Sequence, residues 1–213
     1  MSTYSERWRT RFGQPDPGRT DADIAFLTRT LPLPDFRRVL DVPCGEGPHL
    51  RALRGLGYDT LGVDADPAVA PDLVADLRDL DSLPGDFDAV INMWASFGYF
   101  DPGTNERVLA SFSRRLRPGG RLVLDVFNRN FFEAQEHEVE RELRPGIVER
   151  SILIGDRRQC ELHYGDGHVD SFEWQLYHPE ELELLGAAHG LVPVLRIAPN
   201  DVSAMQLVLQ RDA

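Results

Sequence analysis

The stretch Val39-Leu40-Asp41-Val42-Pro43-Cys44-Gly45-Glu46-Gly47-Pro48 decides the fold. It reads as a short apolar strand that closes on an acidic residue, turns through two nearby glycines and opens a helix at Pro48. A helix start carries unpaired N–H groups and a partial positive charge, so it draws the polar end of a ligand. Gly45 and Gly47 let the backbone turn tightly and admit a ligand where a Cβ would stand in the way. Pro48 suits the first helical position, where its missing N–H has no partner to lose.

Working outward, the third glycine of a dinucleotide fingerprint would fall at position 50, where the chain has Leu50. That glycine lets helix and strand close up around a pyrophosphate, so its loss weakens an NAD or FAD reading. A P-loop is excluded because all 23 basic residues are arginine and no lysine is present to meet a phosphate. The same absence removes Schiff-base chemistry, which needs a lysine amine. What remains is a nucleoside-type ligand without a phosphate chain.

Leu40-Asp41-x-x-Cys44-Gly45-x-Gly47 resembles motif I of the class I S-adenosylmethionine-dependent methyltransferases. Gly62-Val63-Asp64, Val74-Ala75-Asp76-Leu77, Phe87-Asp88-Ala89-Val90-Ile91-Asn92 and Leu116-Arg117-Pro118-Gly119-Gly120 resemble the later elements of that family, in the family's order. The resemblance implies S-adenosylmethionine as cofactor. It also implies cofactor-binding roles for Asp41, Pro43, Cys44, Gly45, Gly47, Asp64, Ala65, Asp76, Leu77 and Asn92. Asp64 would hold the ribose hydroxyls, Asp76 and Leu77 would bracket the adenine, and Asp41 would order the glycine loop and face the cofactor amine. The run Trp94-Ala95-Ser96-Phe97-Gly98-Tyr99-Phe100 resembles a branch that acts on small molecules. Trp94, Ser96, Phe97, Tyr99, Asn128 and Trp174 are the expected acceptor pocket, and Tyr99 and His163 the candidate bases. One departure stands out: Asp64 and Asp76 lie close together, with Pro67 and Pro71 between them, so the helix expected there is cut to a turn.

The fold class expected is α/β: a Rossmann-like seven-stranded, mostly parallel sheet with helices on both faces and an antiparallel β insert after the fifth strand. Strands are expected near 38–42, 60–63, 72–75, 87–93, 121–126, 192–197 and 204–209. Helices are expected from Thr20 to Leu31 (Thr20 and Asp23 forming its cap), after Pro48, over 104–116 and from Pro179 to His189. Residues 1–213 read as one domain, with an N-terminal helical cap over 1–36 and two or three antiparallel strands over 140–177 as a lid. Glycines at 155, 165 and 167 mark its turns. Tyr4, Trp8 and Phe12 form an apolar helical stripe expected to dock on the body, and the acids along 133–142 read either as favouring a cationic or neutral acceptor or, equally well, as a solvated helix face.

A net charge of −12, from 35 acidic and 23 basic residues, disfavours a nucleic-acid substrate, which wants a basic face. Two cysteines suit a reducing compartment. With no membrane-length apolar run, the expectation is a cytoplasmic protein with no membrane partner. Oligomeric state is left open. Cys160, His163 and His168 invite a metal reading, but 160 and 163 would face opposite sides of a strand and no C-x-x-C pair supports them, so no metal is expected. The function expected is methyl transfer to a nitrogen or oxygen of a small molecule. The rival readings are a non-catalytic S-adenosylmethionine-binding protein and an NAD(P)-dependent oxidoreductase.

Overall fold

The computed structural model describes residues 5–12, 17–135 and 138–212. Chain order is α1 (Glu6–Phe12), α2 (Pro17–Thr30), β1 (Arg38–Asp41), α3 (Pro48–Gly55), β2 (Asp59–Asp64), β3 (Leu73–Val74), β4 (Phe87–Asn92), α4 (Pro102–Arg115) and β5 (Leu116–Phe127). It continues with α5 (Arg129–Glu133), β6 (Glu138–Arg144), β7 (Ile147–Ile154), β8 (Arg157–Tyr164), β9 (Val169–Gln175), α6 (Pro179–Ala187), β10 (Leu191–Ile197) and β11 (Ala204–Arg211).

Seven strands form one sheet in the order β10-β11-β5-β4-β1-β2-β3. The chain runs outward from β1 to β3, then returns to β4 on the other side of β1, so the order reverses between β1 and β4. Open α/β sheets bind ligands beyond the carboxyl ends of the strands at that reversal. β11 alone runs against its neighbours β5 and β10. The central strands are apolar on both faces because both are covered. Val39, Ala89, Ile91 and Val123 pack under Phe26 and Leu27 of α2, Leu31 just after it and Leu53 of α3. Leu40, Val90, Leu122 and Leu124 pack under Val108, Leu109 and Phe112 of α4 and Leu182 of α6.

Between Asp64 and Asp76 the chain makes only a 3-10 turn over Pro67–Val69 before the two residues of β3. The turn that replaces the helix leaves a cavity of about 90 Å³ beside the glycine loop, lined by Gly45, Arg51, Arg54 and Asp72 among others.

The insert differs from expectation. It is a four-stranded antiparallel sheet, β6-β7-β8-β9, running from Glu138 to Gln175. The extra strand β6 occupies part of what read as an acidic helix face, because α5 ends at Glu133. β6 is an edge strand with little buried on either face, so its apolar alternation is too faint to read. Its charged side chains find opposite charges across the ladder, Glu140 with Arg150 and Arg141 with Glu149. Trp8 and Phe12 of α1 pack on this second sheet rather than on the seven-stranded body; Tyr4 lies outside the described residues. α2 also starts three residues before Thr20, with Pro17 in its first turn. Asp23 therefore lies inside the helix, and its carboxylate is used elsewhere.

Candidate active site

The carboxyl ends of β1 and β4 carry the first group of site residues. Asp41 ends β1 between Ile91 of β4 and Gly62 of β2. Its side chain is 1 % exposed, and neither carboxylate oxygen has a partner. Burial pushes its pKa up to about 7, held back by His49 and helped by Asp64. Asn92, at the end of β4, donates to the Val42 carbonyl at 2.7 Å, while its own amide oxygen is unpartnered. Pro43 is half-buried between them. The Cys44 N–H binds Val63 at 2.9 Å, and burial pushes the Cys44 thiol up to about 12, too high for a nucleophile at neutral pH.

Gly45 and Gly47 both take left-handed backbone, φ 52° and 72°, and a Cβ at Gly45 would meet nothing within 4 Å. The loop is therefore open to a ligand at Gly45. Asp64, at the end of β2, fastens it by accepting from Gly45 N–H at 2.9 Å, and its other oxygen accepts from Asp66 N–H at 2.9 Å. Ala65 is half-buried beside it. Leu77 is fully inside, whereas the Asp76 carboxylate is engaged by the Arg78 side chain and backbone, which lower its pKa. The Arg78 guanidinium stacks over the Phe100 ring, 5.1 Å from its centre.

The second group lies where the loop after β4 meets the inserted sheet. Gly98, at φ 106°, accepts from Gln175 N–H at 2.7 Å, and a Cβ there would stand 2.5 Å from the Gln175 carbonyl oxygen. Tyr99 packs on Trp174, with ring centres 5.7 Å apart, and Phe127 meets Trp174 edge-on at 5.2 Å. Arg158, buried and paired with Glu149, lies over Phe127, Phe132 and Trp174. The Trp174 indole N–H has no partner.

Of the expected pocket residues, Tyr99 and Trp174 are brought together. Phe97 instead lies in the main core between Phe112 and Tyr177. Ser96 donates to the Met93 carbonyl, and Asn128 caps α5 and binds the Pro199 carbonyl. The Trp94 indole turns toward α2. His163 bonds to Glu161 on the face of the inserted sheet opposite the one that carries Cys160, Leu162 and Trp174. Among the described residues, no group of three or more His, Cys, Asp or Glu side chains is gathered as metal ligands are.

The sequence reading passed over His49 and Asp125 and took Asp23 only as part of a helix cap; all three are buried. An aspartate near the carboxyl end of the central apolar strand β5 is the signal that could have found Asp125; nothing in the sequence links Asp23 to His49.

A methyltransferase-domain family matches the chain over residues 10–195. The chain belongs to that family. It is a class I methyltransferase, and its methyl donor is S-adenosylmethionine. Solved methyltransferases share the fold. The sugar N-methyltransferase KedS8 from Streptoalloteichus sp. ATCC 53650 is 23% identical over 100% of this chain and 94% of its own, with a TM-score of 0.76. The amino pentose methyltransferase CalS10 from Micromonospora echinaspora is 20% identical over 99% of each chain, with a TM-score of 0.72. The CcbJ methyltransferase from Streptomyces caelestis is 18% identical over 97% and 96%, with a TM-score of 0.76. None of the curated proteins matches the sequence. No helix of this methyltransferase, among the described residues, is long and apolar enough to cross a membrane.

Proposed function

We propose that the chain moves a methyl group to a nitrogen or oxygen of a small-molecule acceptor held between the loop 94–100 and the inserted sheet, in the cytoplasm. The observation that carries the cofactor half is Asp41, a buried carboxylate with both oxygens unbonded beside an open glycine loop. A buried carboxylate in that state lacks a donor or a cation, and the cofactor's ammonium supplies both. Gly45 and Gly47 leave room for the cofactor's amino-acid end, Asp64 takes the ribose hydroxyls, and Leu77 walls the adenine. Pro43, Cys44, Ala65, Asp76 and Asn92 shape the same surface.

When bound, S-adenosylmethionine supplies a methyl group already activated on a sulfonium. The protein's share is to align the acceptor and exclude water. Tyr99, Phe127 and Trp174 form an aromatic wall suited to both tasks. The unpartnered Trp174 N–H can orient an acceptor oxygen. An amine acceptor needs only to arrive neutral; for a hydroxyl acceptor, Tyr99 is the base on the wall side, whereas His163 faces away from it. Two of the solved methyltransferases with this fold are described as acting on sugars, which supports a small, polar acceptor.

Calorimetry with S-adenosylmethionine, S-adenosylhomocysteine and NAD is the test, followed by transfer of a labelled methyl group into a metabolite extract. The first two ligands bind and NAD does not. Asp64→Ala weakens binding by about 1.5–3 kcal/mol, the scale of a hydrogen bond to a charged group. NAD binding without either adenosyl ligand would sink the proposal, as would faster methylation of tRNA or protein than of any metabolite.

A further inference from the structure

Asp23 of α2 is 6 % exposed, yet it belongs to no packing pattern. One of its oxygens, Oδ2, accepts the Trp94 indole N–H at 2.7 Å and lies 3.1 Å from His49 Nε2. His49 stands in the first turn of α3, two residues after Gly47, and meets the Trp94 ring edge-on at 5.0 Å. The other face of the network is built by Arg19, also on α2. Its guanidinium lies 5.0 Å from the centre of the Trp94 ring and reaches Asp125 Oδ2 at 3.3 Å. Asp125 in turn accepts the Trp94 backbone N–H at 3.3 Å, and its carbonyl accepts Ala95 N–H at 2.8 Å.

These contacts hold an unusual backbone. Trp94 and Ala95 both have positive φ, 59° and 56°. A bulky residue there is a strained outlier, kept only where surroundings over-determine it, and such strain gathers at working sites. From Ala95 the chain runs into Gly98 and Tyr99, which join the inserted sheet. Asp23 thus touches two arms at once: His49, which follows the cofactor loop in the chain, and Trp94, which launches the acceptor loop.

We propose that Asp23 is a positioning residue for methyl transfer, one carboxylate oxygen setting both the His49–glycine-loop arm and the Trp94–acceptor-loop arm. The inference rests on the cofactor site assigned above. It requires the two arms to be energetically linked through Asp23, which independent packing contacts would not be.

The test is S-adenosylhomocysteine affinity by calorimetry, read beside the indole emission of Trp94 taken as the difference from Trp94→Phe. Variants are Asp23→Ala, Asp23→Asn, His49→Gln, and the double change Asp23→Ala with His49→Gln. Asp23→Ala weakens binding about tenfold, the lower end for a lost hydrogen bond to a charged group, and red-shifts the Trp94 emission. Asp23→Asn, whose amide oxygen still accepts the indole N–H, keeps the emission and restores most of the affinity. His49→Gln adds less to Asp23→Ala than it costs alone. Should Asp23→Ala not fold, Trp94→Phe, which keeps a ring and removes the N–H, must weaken binding several-fold by itself. Wild-type affinity and emission in Asp23→Ala would overturn the inference, as would strict additivity with His49→Gln or full affinity in Trp94→Phe. A wild-type chain that bound no S-adenosylhomocysteine would overturn the cofactor assignment first and this inference with it; wild-type binding that survives in Asp23→Ala would overturn this inference alone.

Discussion

At Asp41 burial pushes a carboxyl group from its ordinary 3.8 up to about 7. A group whose pKa is higher folded than unfolded holds its proton more tightly in the folded chain. Its stability contribution is fully present below about 3.8 and is lost as pH rises to about 7. Linkage puts the loss at up to about 4 kcal/mol. Asp41→Asn removes the ionisation while keeping the shape. The ligand-free variant is then expected to gain on the wild type as pH rises from about 4 to about 7 in urea unfolding, while its affinity for S-adenosylmethionine falls. A stability difference that does not change with pH would contradict the burial argument. At this scale the sequence was informative where a residue type and its spacing carry a meaning of their own. Asp41, Gly45, Gly47 and Asp64 stand at strand ends that apolar runs announce. Asp23, His49 and Trp94 are brought together from 26 and 71 positions away along the chain, and no local pattern marks such a meeting.

Between elements, the close approach of α3 to β2 shows how a missing glycine is accommodated. Leu50 stands where a dinucleotide fingerprint has its third glycine, and the space is made on the strand instead. A Cβ at Gly62 would lie 2.2 Å from Leu50 Cδ1 and 3.1 Å from Cys44 Sγ. Leu50 is buried, so its Cδ1 has to shift within the interior to make room. Gly62→Ala is expected to destabilise by about 1–3 kcal/mol, the usual scale of overpacking. Adding Leu50→Ala should recover part of that loss, so the double variant unfolds later than the sum of the single changes in a denaturant titration. An additive pair would mean that the two side chains do not meet. The seven strands of the main sheet were legible because each is an apolar run bounded by breakers. β6 was not, because an edge strand built from Glu and Arg looks like any solvated segment. The inserted sheet's turns at Gly155 and Gly165–Gly167 were legible from glycine alone, since positive φ is required at Gly155 and Gly167.

Taken whole, the molecule is a doubly covered sheet with a second, smaller sheet attached through Gly98 and the Arg157 side chain, which donates to the Phe100 carbonyl at 3.0 Å. Gly98→Ala puts a Cβ against the Gln175 carbonyl and strains a positive φ, so it should loosen this attachment. The expected result is a far larger loss of turnover than of S-adenosylhomocysteine affinity, because Gly98 meets the inserted sheet directly and reaches the glycine loop only through the Trp94 arm. An equal loss of both would show that the second sheet also shapes the cofactor surface. The position of β11 has another consequence. It lies inside the sheet, pairing Ala204 with Phe127 and Gln210 with Arg121, although β4, β1 and β2 all precede it in the chain. During synthesis, β5 therefore waits with one apolar edge unpaired while the whole inserted sheet, α6 and β10 are made. Long-range strand pairing of this kind slows folding, and an open edge in the interval invites pairing with other chains. The order of synthesis and the order of the sheet disagree, and in the time between them the nascent chain carries an open edge.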